Sequence, residues 1–262
     1  MTALPIRKQE TNNVIELSVI NGKLSKKQSV RYNKDGSIDK RHNNKVAGVS
    51  SEVYPFTTQE EIKTMIDVFD KRIAESANDN QKQIAYRNKM LFLIGINIGL
   101  RASDLITLRW SFFYNNDWTF KEFYTLMPKK TRKQKKFVKL FFNQAIKKIV
   151  EDYIKEYPIQ DINEYLFKSR KGNGCITEIS LGRIVKDAAD EAGIVKNVCS
   201  HTLRKTFGYW AWHNAEDKNK ALVTLQMLFN HSNTQTTLKY IGILSSEIED
   251  MFNSVELGLD YI

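Results

Sequence analysis

Residues 228–242 read LFNHSNTQTTLKYIG and hold His231 and Tyr240 nine positions apart, with small polar residues between them in place of a core-like stripe. Asn233 and Thr234 are of the types that cap a helix N-terminus, so a short helix is expected to start there and to carry the phenol at its far end. A tyrosine in that place is either a surface residue or a nucleophile. Its ordinary pKa is ~10, so attack requires cationic neighbours that stabilise the phenolate or a base that takes its proton. Arg101, His201, Arg204 and His231 are the candidates.

Upstream, residues 200–207 read SHTLRKTF. On a helix His201 and Arg204 share a face, while Leu203 and Phe207 can point into the core. An imidazole and a guanidinium aimed at one point can bind a phosphate and move a proton near neutral pH. Taken alone, that spacing is met by chance in many helical proteins. Further back, residues 99–105 read GLRASDL, where a buried helix is expected to stop at Gly99 and a new one to start on a Ser103 or Asp104 cap. This sets Arg101 beside a helix N-terminus, where the guanidinium fork and the positive end of the dipole suit a phosphate oxygen. Pairing with Asp104 is the plainer alternative for that arginine.

The rest of the pattern is mostly helical. Thr58 and Glu61 form a capping box ahead of Ile62, Met65, Ile66, Phe69 and Ile73 at helical spacing. Arg87 to Gly99 is apolar on most sides and is expected at the centre of the core. Two strands are expected at Phe120–Met127 and Lys136–Phe142, joined by a basic turn with Lys129, Lys130, Arg132 and Lys133. Helices are expected again at Ala145–Tyr157, Leu181–Ala192, 202–230 and 233–251, with a polar loop at 214–220. The fold class is α+β, mostly α-helical, with one small antiparallel sheet.

The chain has 262 residues, 42% of them hydrophobic, with 40 Lys+Arg against 30 Asp+Glu, a formal charge of +10. Such a chain buries a core without disulfides or a structural metal, and Cys175 and Cys199 look incidental. No apolar run approaches the ~20 residues that span a bilayer, and the first residues lack the apolar stretch of a signal peptide, so a cytoplasmic protein is expected. Collagen-like, disulfide-rich, membrane and fully disordered classes are excluded. Residues 1–50 hold ten Lys+Arg, Arg41 among them, against four acids. That segment reads as a basic arm with a hairpin signal at Asn21-Gly22, ahead of a second unit over 51–262. The basic balance is the footprint of a nucleic-acid partner.

Taken together, GLRASDL, the basic β-turn, SHTLRKTF and the stretch ending at Tyr240 resemble, in chain order, the catalytic domain of the tyrosine recombinases, the phage integrase family. Within it the chain is similar to short integrase-like recombinases of Gram-positive bacteria and mobile elements. The resemblance implies a site-specific DNA recombinase in which Tyr240 forms a 3′-phosphotyrosyl bond. It implies that Arg101 and Arg204 hold the non-bridging oxygens, His201 assists proton transfer and His231 donates to the phosphate. The turn lysine acts as general acid, with Lys130 the first choice over Lys129 and Lys133. Asp104 orients an arginine, and Lys129, Arg132, Lys133 and Arg41 contact DNA. No metal or other cofactor is expected.

The implied partner is double-stranded DNA, bound by a homo-tetramer on paired sites with an accessory DNA-binding factor, in the bacterial nucleoid and away from membranes. Ile248, Met251, Phe252 and Val255 form a stripe in a tail, residues 245–262, expected to dock on a neighbouring protomer. The family usually places a helical core-binding domain ahead of the catalytic one, whereas a polar, lysine-containing segment precedes Tyr54 here. Two other functions share the chemistry or the fold: a type IB topoisomerase that relaxes supercoils, and a catalytically silent DNA-binding regulator.

Overall fold

A computed structural model describes residues 13–14, 17–20, 23–26, 30–31, 52–129, 137–170, 172–243 and 254. The chain divides into two compact units, Met1–Glu52 and Val53–Ile262. Lys130, Arg132, Lys133, Arg41 and the apolar stripe of the tail lie outside the described residues. In the first unit, β1 (Asn13–Val14), β2 (Leu17–Ile20), β3 (Lys23–Lys26) and β4 (Val30–Arg31) form two antiparallel pairs. β2 pairs with β3 and β1 with β4, the inner pair closing with Ile20 opposite Lys23. A two-residue connection through Asn21-Gly22 is what that residue pair favours.

The second unit begins with α1 (Gln59–Ala74). Thr58 accepts the Glu61 N–H at 3.1 Å and the Glu61 carboxylate accepts the Thr58 N–H at 3.3 Å, which makes the expected capping box. α2 (Asp79–Ile98) starts eight residues earlier than Arg87, because the Asn78 side chain caps it at the Gln81 N–H, 3.0 Å away. Its opening DNQKQIAY is too polar to show a hydrophobic period. Its second half buries Met90, Leu91, Phe92, Ile94 and Ile98. α3 (Ala102–Leu105) is capped at Arg101 without a side-chain bond, so Ser103 and Asp104 lie inside the helix and are not its cap. The reason is burial: Asp104 is turned inward and is 4% exposed.

A short 3₁₀ turn, Trp110–Phe112, leads to β5 (Phe123–Leu126) and β6 (Val138–Phe141), both shorter than the apolar runs that suggested them. They pair antiparallel with Phe123 opposite Phe141 and Leu126 opposite Val138. α4 (Gln144–Glu156) and α5 (Glu178–Glu191) start on Asn143 and Thr177. α6 (Ser200–His213) and α7 (Lys218–Phe229) follow, and Asp217 caps α7, so the polar loop is residues 214–217 and Lys218 to Lys220 are helical. α8 (Thr234–Ile241) starts on Asn233, whose side chain accepts the Thr236 N–H at 2.7 Å.

α2 packs against α1, α4 and α6, and one large apolar cluster surrounds it. A Cβ on Gly95 would stand 2.6 Å from a Leu203 methyl, so the glycine sets how closely α6 approaches α2. A second, small cluster of Leu225, Phe229, Ile241 and Ile243 joins α7 and α8 to α6. Among the described residues no helix is long and apolar enough to cross a membrane.

Candidate active site

The site is built where three helix ends meet. Gly99 closes α2 with φ +65, and any side chain there would collide with the Phe207 ring. The turn leaves the Gly99 carbonyl without a helical partner, and Arg204 Nη1 donates to it at 2.5 Å. α7 ends on Asn230, also left-handed at φ 54, and exposes the Phe229 carbonyl, which accepts from Arg101 Nη2 at 3.0 Å. Both arginines are thus fixed by main-chain oxygens, the acceptors that helix C-termini leave over.

Arg204 is 6% exposed, in the middle of α6. Its guanidinium lies over the Phe229 ring, 4.1 Å from the centre. Its charge also acts on the Tyr240 phenol. Burial pulls its pKa down to about 10, while Tyr240 and Asp104 oppose the fall. The phenol responds in the reverse sense. Burial raises the Tyr240 pKa above its ordinary value, and Arg204 and Arg101 draw it back.

His231 lies edge-on to the Tyr240 ring at 5.0 Å, and Phe229 stands 5.5 Å from each of the two rings. His231 Nδ1 is 3.1 Å from Thr237 Oγ1, a contact that orients the imidazole from the first turn of α8. His201 sits one turn before Arg204, on the exposed side of α6. Desolvation, with the charges of Arg204, Lys205 and Arg101, holds its pKa below the ordinary histidine value against the pull of Glu178. These surroundings favour the neutral imidazole, the form able to accept a proton.

Asp104 does not spend its hydrogen bond on an arginine side chain. Its Oδ1 accepts the main-chain N–H of Lys129 at 3.0 Å, which ties α3 to the base of the basic turn. Arg101, His201, Arg204, His231 and Tyr240 thus come together, and Lys129 is joined to them through Asp104. Lys130, Arg132, Lys133 and Arg41 lie outside the described residues. Among the described residues no three His, Cys, Asp or Glu side chains are grouped to hold a metal ion.

Some contributors gave no sequence signal. Cys199, which looked incidental, is the cap of α6: its sulfur accepts the His201 N–H at 3.4 Å, and its own N–H donates to Thr202 Oγ1 at 3.0 Å. Phe229 reads as a core residue and is also the platform under Arg204. Lys205, expected on no face in particular, is buried beside Tyr240.

Comparison with known proteins bears on the family and the fold. The model of the phage integrase family matches residues 55–246. The probable integrase/recombinase YoeC of Bacillus subtilis is 33% identical over 177 residues, covering 66% of this chain and 88% of its own. Tyrosine recombinase XerD of Oceanobacillus iheyensis is 26% identical, covering 66% of this chain, and XerC of Staphylococcus aureus is 24% identical, covering 75%. The chain spans 55% of the first of these and 59% of the second. Among solved structures, XerA recombinase superposes with TM-score 0.54 at 19% identity, covering 78% of this chain and 66% of that one. XerH recombinase bound to its difH substrate gives TM-score 0.54 at 19% identity, covering 84% and 58%. A family match over most of the second unit, a relative one-third identical and a shared fold lead to one conclusion: the chain belongs to the phage integrase family and carries the tyrosine recombinase catalytic domain.

Proposed function

We propose that the protein is a site-specific DNA recombinase that cleaves and rejoins DNA through a phosphotyrosyl intermediate. The observation that carries this reading is the meeting of Arg101, Arg204 and His231 around a half-buried phenol whose ionisation the two guanidinium groups favour against the effect of burial. Tyr240 Oη attacks the scissile phosphorus and loses its proton to His201, and the bond to the 5′ oxygen breaks. The turn lysine, Lys130 by the family pattern, gives that oxygen a proton. The 5′-hydroxyl of a partner strand then attacks the phosphotyrosyl bond and returns the tyrosine.

Arg101 and Arg204 supply positive charge where the non-bridging oxygens gain negative charge, the usual place for the largest electrostatic gain. Arg204, fixed by the Gly99 carbonyl, faces both the phenol and the place the phosphate would take. Arg101 and Arg204 provide the charge a bound cation would otherwise bring, His201 and His231 add proton transfer and a hydrogen bond, and the reading assigns no metal. Asp104 would hold the basic turn over the site, with Lys129, Arg132, Lys133 and Arg41 on the DNA backbone. Double-stranded DNA is the partner, and a tetramer on paired sites forms through the tail, residues 245–262. The XerH structure, described as a complex with difH substrate after cleavage, supports the choice of DNA as substrate.

The test is to trap the adduct. Wild-type and Tyr240→Phe protein are incubated with nicked suicide duplexes from the flanks of the gene and run on a denaturing gel. An adduct in wild type alone supports the reading. DNA binding with no adduct in either would favour a regulator with the same fold, and relaxed circles without recombinants would favour a topoisomerase. Removal of residues 245–262 should abolish ordered assembly on paired sites, read by native gel; a truncated chain that still assembles would end the tail's assigned role.

A further inference from the structure

Lys205 follows Arg204 and has no part in the mechanism above. It is 8% exposed in the middle of α6, and its Nζ stands 5.4 Å from the centre of the Tyr240 ring. Lysine is among the residues least often buried, and here the buried ammonium lies beside an aromatic ring. His201, Arg204, Lys205 and Gly208 fall at the spacing of a single helical stripe. At the end of that stripe a Cβ on Gly208 would stand 2.6 Å from Ile241 and 2.9 Å from Phe229. The missing side chain lets α8 close on α6 directly after Tyr240. The phenol ring is thereby set against the lysine.

An ammonium group near an aromatic ring is attracted by the ring's quadrupole. Once the phenol loses its proton the ring carries a full negative charge, and the same contact becomes an ion pair. Lys205 therefore binds the phenolate more strongly than the phenol, which is the condition for easing ionisation. Among the described residues, the other titratable groups that face Tyr240 are Arg204 and Arg101, Cys199 at the start of α6 and the edge of His231. Both arginines are assigned to the phosphate when DNA is bound, so their charge is shared at the moment the tyrosine attacks. The lysine belongs to neither phosphate contact.

We propose that Lys205 is a positioning residue for Tyr240, holding the phenol ring and favouring its ionised form through a charge that the DNA phosphate does not take up. Its role in cleavage rests on Tyr240 being the nucleophile; its effect on the phenol does not.

The first measurement uses the full chain without DNA, with 3-fluorotyrosine at position 240 alone and its fluorine resonance followed against pH. Lys205→Met keeps the length and removes the charge, and should raise the ionisation midpoint by about one pH unit. Lys205→Arg should leave the midpoint within about 0.3 unit of wild type. Where Lys205→Met loses helix content, the neutral Lys205→Gln supplies the same comparison. An unmoved midpoint in a folded neutral variant overturns the proposal. Cleavage of a nicked duplex is then followed against pH: the neutral variant should shift to alkaline pH by the same amount and Lys205→Arg should restore it. A moved midpoint with an unmoved rate profile overturns the role in cleavage. Absence of any adduct in wild type strikes the recombinase reading, while the titration still decides what Lys205 does to the phenol.

Discussion

Arg204 and Tyr240 meet across a seam between two unequal bodies. Arg204 stands on α6, which is packed on α2 and the large cluster running from Phe56 to Leu203. Tyr240 stands on α8, whose buried support is Leu225, Phe229, Ile241 and Ile243. The group that would hold phosphate is on the frame, and the group that would attack is on an element with few apolar contacts. Elements of that second kind open first, and moving parts are drawn from them.

The comparison can be broken by equal truncations on its two sides. Phe92→Ala in the large cluster should cost about 3–5 kcal/mol of global stability, read by denaturant titration. Phe229→Ala should move the denaturant midpoint far less while lowering adduct formation at least about tenfold, because α8 and the platform under Arg204 both lose support. Equal global losses would join the clusters into one cooperative body. The two close glycines sharpen the contrast. Gly95→Ala should cost about 1–3 kcal/mol by pressing on Leu203. Gly208→Ala, pressing on Ile241, should shift the cost to the cleavage rate.

Charge gives a smaller and separate test. Cleavage should rise with pH as Tyr240 ionises, with burial holding that ionisation above the ordinary tyrosine value, read from a pH–rate profile. With His201 below its ordinary value, the acid limb should lie below pH ~6.5, and a direct proton titration of that imidazole checks the assignment. The smallest effect is in hydrogen exchange, where amides of α8 should exchange ahead of those in the second half of α2.

What could be read from sequence follows the same division. Local chemistry was legible: the Thr58/Glu61 box, the Asn233 cap and the stop at Gly99 are written in adjacent residues and appear as read. The early start of α2 was not, since polar turns have no apolar period and only Asn78 marks it. Inside the site, the spacing of His201 with Arg204 and of His231 with Tyr240 showed candidates but not who touches whom. That Arg204 takes the Gly99 carbonyl, 105 positions away, depends on how α6 crosses α2. Lys205 was illegible for a further reason: charge in a sequence reads as surface, and the ring that meets it is brought in by another helix.

The bond from Lys129 to Asp104 uses a main-chain N–H, and every residue except proline offers one. The contact is therefore indifferent to the identity of residue 129. A turn held by its backbone at the root keeps its point of attachment whatever side chain residue 129 carries.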